Sequence, residues 1–176
     1  MSEYSVNTNK LKALCPQLKV GDRVFLSGTV YTARDAAHKR IFECLNEGGK
    51  PPFKIEDAVI YYAGPTPTPE SLPIGSCGPT TSARMDVYTP RLTDMGLTAT
   101  IGKGERSEEV IKAINKNGSV YLCAIGGAGA LACRHITKSE VIAYDDLGCE
   151  SVKKLEFSDF PLIVAIDCHG GNIFKR

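Results

Sequence analysis

The sequence predicts an α/β fold in which strands and helices alternate along one chain. Its 176 residues are 43% hydrophobic and 23% charged, the balance of a globular protein with a core of useful size. Short runs rich in β-branched and aromatic residues alternate with stretches of helical periodicity. This alternation is typical of an α/β domain, or of a layered β/β/α domain, with parallel pairing. We therefore expect one domain over residues 1–176, with residues 1–17 as an N-terminal extension.

The first third of the chain predicts two strands and one helix. Residues 22–31 (DRVFLSGTVY) alternate imperfectly and read as a strand. Asp35 then stands at a helix start, and apolar residues at helical spacing continue until Gly48 and Gly49 end the helix. Residues 57–63 (DAVIYYA) predict a short buried strand.

A long irregular segment follows this second strand. Four prolines between Pro65 and Pro73 exclude a helix, and the segment is too long for an ordinary turn. It ends in GPTTSARM, where Thr80, Thr81 or Ser82 is a candidate helix cap. Long loops inside compact domains are usually functional or disordered, and the position of this one between a strand and a helix start favours function.

The second half predicts four further strands and two helices in alternation. The strands are expected at 97–101, 119–125, 139–144 and 161–167. An amphipathic helix is expected at 105–118, ending at Gly118, and a helix rich in small residues at 126–136.

Charge and hydropathy exclude several classes of function. The formal net charge is +1, so nothing favours binding to nucleic acid or to an anionic membrane. No apolar run reaches the roughly 20 residues that span a bilayer. The first 14 residues are polar and lack the apolar stretch of a signal peptide, so we expect a cytoplasmic protein.

The cysteines are numerous but show no metal-binding spacing. There are seven, none in a CxxC pair, and Cys123 and Cys133 are too far apart for a zinc knuckle. Isolated cysteines in a cytosolic chain are usually small buried apolar residues. We predict no metal site within this chain.

A charged motif occupies the first predicted strand-to-helix junction, residues 32–40 (TARDAAHKR). Arg34 and Asp35 fall at the junction, and His38 follows Asp35 by three residues on the same helix face. Arginine binds carboxylates in bidentate fashion and histidine exchanges protons near neutral pH, so the motif suits an anion clamp with a proton carrier. The alternative is a capped helix with a solvated first turn.

Two more motifs carry cations or hydroxyls at predicted strand and helix ends. Residues 76–86 (SCGPTTSARMD) place hydroxyls at 80–82 and a guanidinium at Arg84 near a helix N-terminus, which favours anions. In Gly102-Lys103-Gly104 the lysine follows a strand, where open α/β sheets bind ligands. A plain capped helix and an ordinary turn are the alternatives. Together the three motifs suit a small polycarboxylate or a phosphate.

A glycine-rich segment, Ile125–Ala132, partly fits a dinucleotide fingerprint. Ala132 replaces the third glycine and the segment lies late in the chain, so tight helix–sheet packing explains it better. A non-catalytic dinucleotide-binding module remains an alternative. His135 and His169 stand alone and are interpreted as structural.

The order of several motifs resembles one enzyme family. SGTVYTARDAAHKR, YYAGPTPTP, GSCGPTTSARMD, IGKGERSEE and LIVAIDCHG occur as in the β-type subunits of class I fumarases and tartrate dehydratases, over about residues 18–170. The resemblance implies a swivelling β/β/α domain, layered with mixed sheets. It also implies reversible hydration of fumarate to (S)-malate, or dehydration of L(+)-tartrate to oxaloacetate. It also implies a [4Fe–4S] cluster held by a larger α subunit, so the cysteines of this chain are not cluster ligands. The implied assembly is a hetero-oligomer, with homodimerisation of the isolated chain left open.

The resemblance further implies roles for residues of the three motifs. The implied substrate-binding residues are Arg34, Thr81, Arg84 and Lys103. The implied catalytic residues are Asp35, His38 and Thr80, with Thr80 helping to remove the C3 proton. A free threonine hydroxyl is too weakly acidic to ionise near neutral pH, so neighbouring cations or a proton relay would have to assist it.

Overall fold

A computed structural model describes residues 1–124 and 129–175, which form a mixed seven-stranded sheet surrounded by short helices. The strands are β1 (Glu3–Asn7), β2 (Arg23–Thr32), β3 (Val59–Tyr61), β4 (Ala99–Gly102), β5 (Val120–Cys123), β6 (Ile136–Ala143) and β7 (Val152–Ile166). The α-helices are α1 (Thr8–Leu14), α2 (Asp35–Asn46), α3 (Thr89–Asp94), α4 (Glu108–Asn117) and α5 (Gly129–Ala132). The 3₁₀ helices are Cys15–Gln17, Ser82–Met85, Cys133–His135 and Asp145–Glu150.

The sheet closes on itself through its longest strand. Strands β1 to β5 pair in parallel and in chain order. The 15-residue strand β7 runs antiparallel to β2 on one edge and to β6 and β5 on the other. Ile163, for example, lies opposite both Arg23 and Cys123. The pairings β2-β3-β4-β5-β7-β2 therefore form a ring.

Two neighbouring tyrosines, at the end of β3 and directly after it, show how the core is divided. Tyr61 belongs to the largest buried cluster, which fills the space inside the ring with residues such as Leu26, Leu122 and Phe157. Tyr62, the next residue, belongs to a second cluster that includes Ile41 of α2. Neighbouring residues of an extended chain point to opposite faces, so this short segment serves two cores. A third cluster packs α4 against β5 and β7.

The predicted α/β class is confirmed, and β2, α2 and α4 lie close to their expected bounds. Strand β7 differs, because it begins at Val152, nine residues before the strand expected at 161–167. The expected helix at residue 35 is α2 and the expected helix at 105–118 is α4, which Ser107 caps through the Val110 amide at 3.4 Å. Among the strands and α-helices three elements were missed: β1 and α1, within the expected N-terminal extension, and the six-residue α3. The 3₁₀ helices Cys15–Gln17 and Asp145–Glu150 were missed as well. The swivelling β/β/α arrangement stays a prediction.

The expected helix start at residues 80–82 is wrong. The chain forms only the four-residue 3₁₀ helix Ser82–Met85, and Thr81 makes no side-chain capping bond. The Ser82 hydroxyl instead accepts hydrogen bonds from the Lys103 amide (3.1 Å) and the Tyr121 hydroxyl (2.9 Å). This segment is therefore held by contacts to the neighbouring strands rather than by helical bonds.

The small-residue helix expected at 126–136 is not one continuous helix in the described residues. Its described part is the four-residue α5 followed by the 3₁₀ helix Cys133–His135. Residues 125–128 lie outside the described residues, so half of the proposed dinucleotide fingerprint does too. None of the helices in the described part of the chain has the length and apolar character to cross a membrane.

Candidate active site

The three sequence motifs come together at one edge of the sheet. Strands β2, β3 and β4 are parallel neighbours, and each leads into one of the motifs at its carboxyl end. The carboxyl ends of parallel strands lie at the same edge of a sheet, where α/β proteins bind ligands. The loops that follow these strands carry the predicted site residues.

Arg34 and Asp35 form the junction between β2 and α2. Arg34 is the N-cap residue of α2, with an extended backbone, and Asp35 is the acidic residue of its first turn. An acidic side chain there stabilises the helix through the positive end of its dipole. The Arg34 Nε lies 3.2 Å from the Glu150 carboxylate, and both side chains are about one-fifth exposed (23% and 21%).

Arg84 links this junction to the loop after β3. Its Nη2 donates to the Thr80 hydroxyl at 2.5 Å and lies 3.5 Å from Oδ2 of Asp35. The Thr80 amide donates to the Tyr62 carbonyl at 2.7 Å, which holds Thr80 beside the end of β3. Arg84 is about half exposed, so its remaining donors face the open side of the cluster.

Lys103 joins the cluster from the loop after β4. Thr81 and Lys103 form a parallel β-bridge, in which the Ser82 amide donates to the Lys103 carbonyl at 3.0 Å. The side chains of Thr81 and Lys103 are exposed. The bridge therefore fixes the backbone of the lysine, and the exposed side chain is accessible to a ligand.

The positions on either side of Lys103 require glycine for two different physical reasons. A Cβ on Gly102 would lie 1.9 Å from the Ser82 hydroxyl, so only glycine allows the two loops to come this close. Gly104 has a φ of +82°, which residues with a side chain rarely adopt. The Gly-Lys-Gly motif is thus required by the bridge and by the turn that follows it.

We define the cation cluster as Arg34, Asp35, Thr80, Thr81, Arg84 and Lys103. The structure brings these six predicted site residues together from three loops. Three cations and two hydroxyls outnumber the single carboxylate, so the cluster suits an anion with more than one negatively charged group.

His38, the seventh predicted site residue, lies in the core under the cluster. It is fully buried and packs against the rings of Tyr88 (5.3 Å between centroids) and Tyr62 (5.6 Å). Its Nδ1 lies 2.9 Å from the Arg34 carbonyl, which can only accept, so Nδ1 carries the proton. Burial lowers the pKa of His38 from 6.5 to about 4, so the ring is neutral near pH 7.

Arg106 is a buried arginine whose role sequence reasoning missed. Its Nε pairs with Asp86 at 2.6 Å, and its Nη groups donate to Thr89 at 2.7 Å and Thr100 at 3.1 Å. The same Asp86 accepts from the Ser107 amide at 2.6 Å. These bonds tie the loop that carries Lys103 to the segment that carries Arg84. Its place in the polar stretch KGERSEE predicts a surface residue, so local sequence gave no signal for it.

The described cysteines do not fit an iron–sulfur cluster. Within residues 1–124 and 129–175, no group of three or more His, Cys, Asp or Glu side chains is placed to hold a metal ion. Burial raises the pKa of Cys15 and of Cys77 to about 12, which favours the thiol over the thiolate that binds metal. No chemical step on this chain is therefore assigned to a cluster of its own.

Comparison with known proteins matches the chain to one family along its whole length. The matching family is described as the fumarase C-terminus, over residues 1–176. The chain is 40% identical over 169 residues to the anaerobic class I fumarate hydratase of Escherichia coli K12, covering 95% of this chain and 31% of that protein. It is 39% identical to fumarate hydratase 2 of Leishmania major, covering 96% and 30%.

A further relative is close to this chain in length. It comes from Methanocaldococcus jannaschii, is provisionally named L(+)-tartrate dehydratase subunit beta, and is 41% identical over 180 aligned residues. The alignment covers 99% of this chain and 92% of that protein. The chain thus spans less than a third of each of these two fumarate hydratases, but nearly all of the archaeal subunit.

Proposed function

The chain belongs to the family of the fumarase C-terminal domain, and from that membership we propose that it is the β subunit of a fumarate hydratase. The proposed reaction is the reversible hydration of fumarate to (S)-malate, at an interface with an α subunit that holds a [4Fe–4S] cluster. A single domain over residues 1–176, in the swivelling β/β/α arrangement, is part of the same proposal.

One observation carries the proposal: Arg34, Arg84 and Lys103 reach the same edge of the sheet from three separate loops. A dicarboxylate has two charged ends, and guanidinium and ammonium groups on separate loops bind both ends at once. A cluster of this kind fixes the orientation of a small substrate, which lowers the entropic part of the barrier.

The same cations support the chemical step. Removing a proton from C3 of malate builds negative charge on the neighbouring carboxylate, and fixed cations stabilise that charge in the transition state. Arg84 and Lys103 are the exposed cations of the cluster and are proposed for this role. The group that activates the leaving hydroxyl is proposed to come from the α subunit.

Thr80 and Asp35 are the proposed proton carriers. The Arg84 guanidinium donates to the Thr80 hydroxyl oxygen, and a cation in that position stabilises the deprotonated hydroxyl. Asp35 lies beside the same nitrogen of Arg84 and offers a carboxylate to receive the proton. His38 is buried, so its proposed contribution is to hold the Arg34 carbonyl rather than to touch the substrate.

L(+)-tartrate is the second candidate substrate, with oxaloacetate as its product. A relative of which this chain covers 92% is named for tartrate dehydratase. Malate and tartrate differ by one hydroxyl, and a pocket that merely tolerates an extra hydroxyl discriminates weakly. Relative activity on the two substrates decides between them.

The proposed function is tested by assembling the two subunits. The chain is purified alone and together with its cluster-bearing α subunit under anaerobic conditions, and the dehydration of malate and of L(+)-tartrate is followed. We expect turnover only in the assembled protein, with malate preferred. Turnover by the isolated chain, or an assembled protein inactive on both substrates, would overturn the proposal, while a strong preference for tartrate would select the alternative.

A further inference from the structure

Residues 145–151, which we define as the strap, lie against the β2–α2 junction although they are more than 100 residues away in sequence. At one end, Arg40 of α2 donates to both carboxylate oxygens of Asp146, at 2.8 and 2.5 Å. At the other end, the Thr32 hydroxyl donates to the Ser151 carbonyl at 3.3 Å. The strap is thus bonded to residues on both sides of Arg34.

A buried lysine holds the turn inside the strap. The Lys153 ammonium donates to the Gly148 carbonyl at 3.1 Å and to the Ser151 hydroxyl at 2.6 Å. Gly148 has φ 58° and ψ −116°, a conformation that strongly favours glycine. The Lys153 amide also donates to the Thr32 hydroxyl at 3.0 Å. These contacts fix the backbone on both sides of Glu150, whose side chain leaves the strap between Gly148 and Ser151.

The Glu150 carboxylate binds the junction through both oxygens. Oε1 lies 3.2 Å from the Arg34 Nε, and Oε2 accepts from the Ala36 amide, also at 3.2 Å. The Ala36 amide is one of the free donors at the start of α2, so Glu150 stabilises the helix as well as the arginine. Because Glu150 occupies the Nε side, the two terminal nitrogens of Arg34 remain the ones that present a fork to a carboxylate.

Gly64 closes the other side of the same guanidinium. A Cβ at Gly64 would lie 2.6 Å from Nη1 of Arg34, 3.1 Å from its Cδ and 3.2 Å from the Cys149 carbonyl. The backbone of Gly64 does not lie in the left-handed region, so the need for glycine here is the space taken by the arginine. Arg34 therefore lies between Gly64 on one side and Glu150 on the other.

We propose that Glu150 and Gly64 are positioning residues that hold the Arg34 guanidinium ready for one carboxylate of the substrate. The inference rests on the proposed function, because it assigns Arg34 a dicarboxylate ligand. A free arginine side chain loses considerable rotamer entropy when it binds, and an arginine already held in place loses less. Glu150 thus acts on the reaction through Arg34, without contact to the substrate.

The first test is Glu150→Gln in the assembled enzyme. Glutamine keeps an acceptor for the Ala36 amide but removes the charge that faces Arg34. We expect kcat/KM for malate to fall about 10- to 100-fold, because a guanidinium displaced by loss of the ion pair no longer meets the substrate carboxylate, with the melting temperature unchanged. The matched control is Glu3→Gln on β1, which removes the charge from an exposed 3.1 Å pair with Arg23 of β2. This variant should leave kcat/KM unchanged.

The second test separates positioning from a structural role. In an Arg34→Ala background, Glu150→Gln should cause no further loss of kcat/KM, because the group it acts through is gone. Gly64→Ala should cause a loss similar to Glu150→Gln, since the added methyl displaces the guanidinium. An equal loss with and without Arg34, or full activity in both single variants, overturns the positioning roles. An inactive wild-type assembly overturns the proposed function itself, and this inference with it.

Discussion

Two arginines on neighbouring parts of the molecule serve opposite purposes. Arg106 has a side-chain exposure of 0%, while Arg84 is 48% exposed. The side chain of Arg106 donates hydrogen bonds to Asp86, Thr89 and Thr100. The described contacts of Arg84 are to two residues of the cation cluster, Thr80 and Asp35. The comparison teaches that a satisfied, buried cation builds the scaffold and a partly exposed one is available to a ligand.

The buried region extends beyond the ion pair. The Arg106 guanidinium also lies over the rings of Tyr121 (4.8 Å to the centroid) and Tyr62 (5.4 Å), where cation–π attraction adds to its hydrogen bonds. Tyr121 in turn donates to Ser82, which bonds to Lys103. The buried network thus supports two of the loops that deliver the cation cluster, and the two regions should respond differently to mutation.

The largest expected effect is the loss of stability in Arg106→Met. Methionine keeps much of the volume but leaves the Asp86 carboxylate without its guanidinium partner in a mostly buried site. Removing one partner of a buried ion pair costs about 3–5 kcal/mol. We expect a fall of that size in the free energy of unfolding, measured by urea denaturation of the isolated chain.

The control for that experiment is Lys116→Met, which breaks the exposed Lys116–Asp94 pair at 2.9 Å. Exposed pairs contribute roughly 0–1 kcal/mol, so the free energy of unfolding should change little. Equal losses in the two variants would contradict the scaffold role assigned to Arg106.

The next effect is on catalysis by the exposed region. Arg84→Ala or Lys103→Ala removes a cation proposed to stabilise transition-state charge, and such losses cost about 10²–10³ in kcat. Because both side chains are exposed, the free energy of unfolding should change by less than about 0.5 kcal/mol. Steady-state kinetics of the assembled enzyme and urea denaturation measure the two quantities separately.

Arg91→Ala is the matched control for the exposed cations. Arg91 lies on α3, contacts Asn46 and Phe42, and is not part of the cation cluster. Its removal should leave kcat/KM unchanged. Wild-type kinetics in both Arg84→Ala and Lys103→Ala would remove these residues from the proposed site.

The sequence predicted the elements whose signals are local. Helix α2 has an acidic first turn and α4 has a serine cap, and both signals lie within a few residues of the helix they start. Strand β1 was missed because polar and apolar residues alternate over only five positions, and pairing with β2 stabilises this short segment. The helix Thr89–Asp94 was also missed, because six residues are too few to show helical periodicity. Packing against the second core cluster stabilises it.

The position of a motif residue could be predicted where it follows a strand, and its burial could not be predicted where long-range contacts decide it. Arg34 and Lys103 lie after β2 and β4 as expected. Thr80 and Arg84 were expected at a helix start that is absent, and Arg84 reaches the others through Asp35. The roles of these residues stay predictions. Glu150 was not predicted, because it reaches Arg34 from 116 positions away, and the distant partner of a surface-like glutamate leaves no trace in local pattern. His38 looked solvent-facing in a charged motif, yet the second core cluster encloses it.

His38 differs from both arginines. It is buried like Arg106, but its ring is neutral near pH 7 and can gain a proton in acid. Desolvation is the main cause of its lowered pKa; the Arg34 carbonyl and the Asp35 charge oppose it, and Arg106 adds to it. In the unfolded chain a histidine has a pKa near 6.5. The unfolded state therefore binds the proton more readily than the folded state between about pH 4 and pH 6.5.

The smallest expected effect is therefore a loss of stability in mild acid that depends on His38. The contribution of its neutral ring is complete above about pH 6.5, falls by about 2 kcal/mol at pH 5 and is lost towards pH 4. His38→Phe keeps an aromatic ring in the stack but cannot titrate, so its free energy of unfolding should change less between pH 7 and pH 5. Urea denaturation of the wild type and of His38→Phe at both pH values measures the difference. If His38→Phe lost as much stability in acid as the wild type, the ring could not be the neutral, desolvated group that its packing against Tyr62 and Tyr88 indicates.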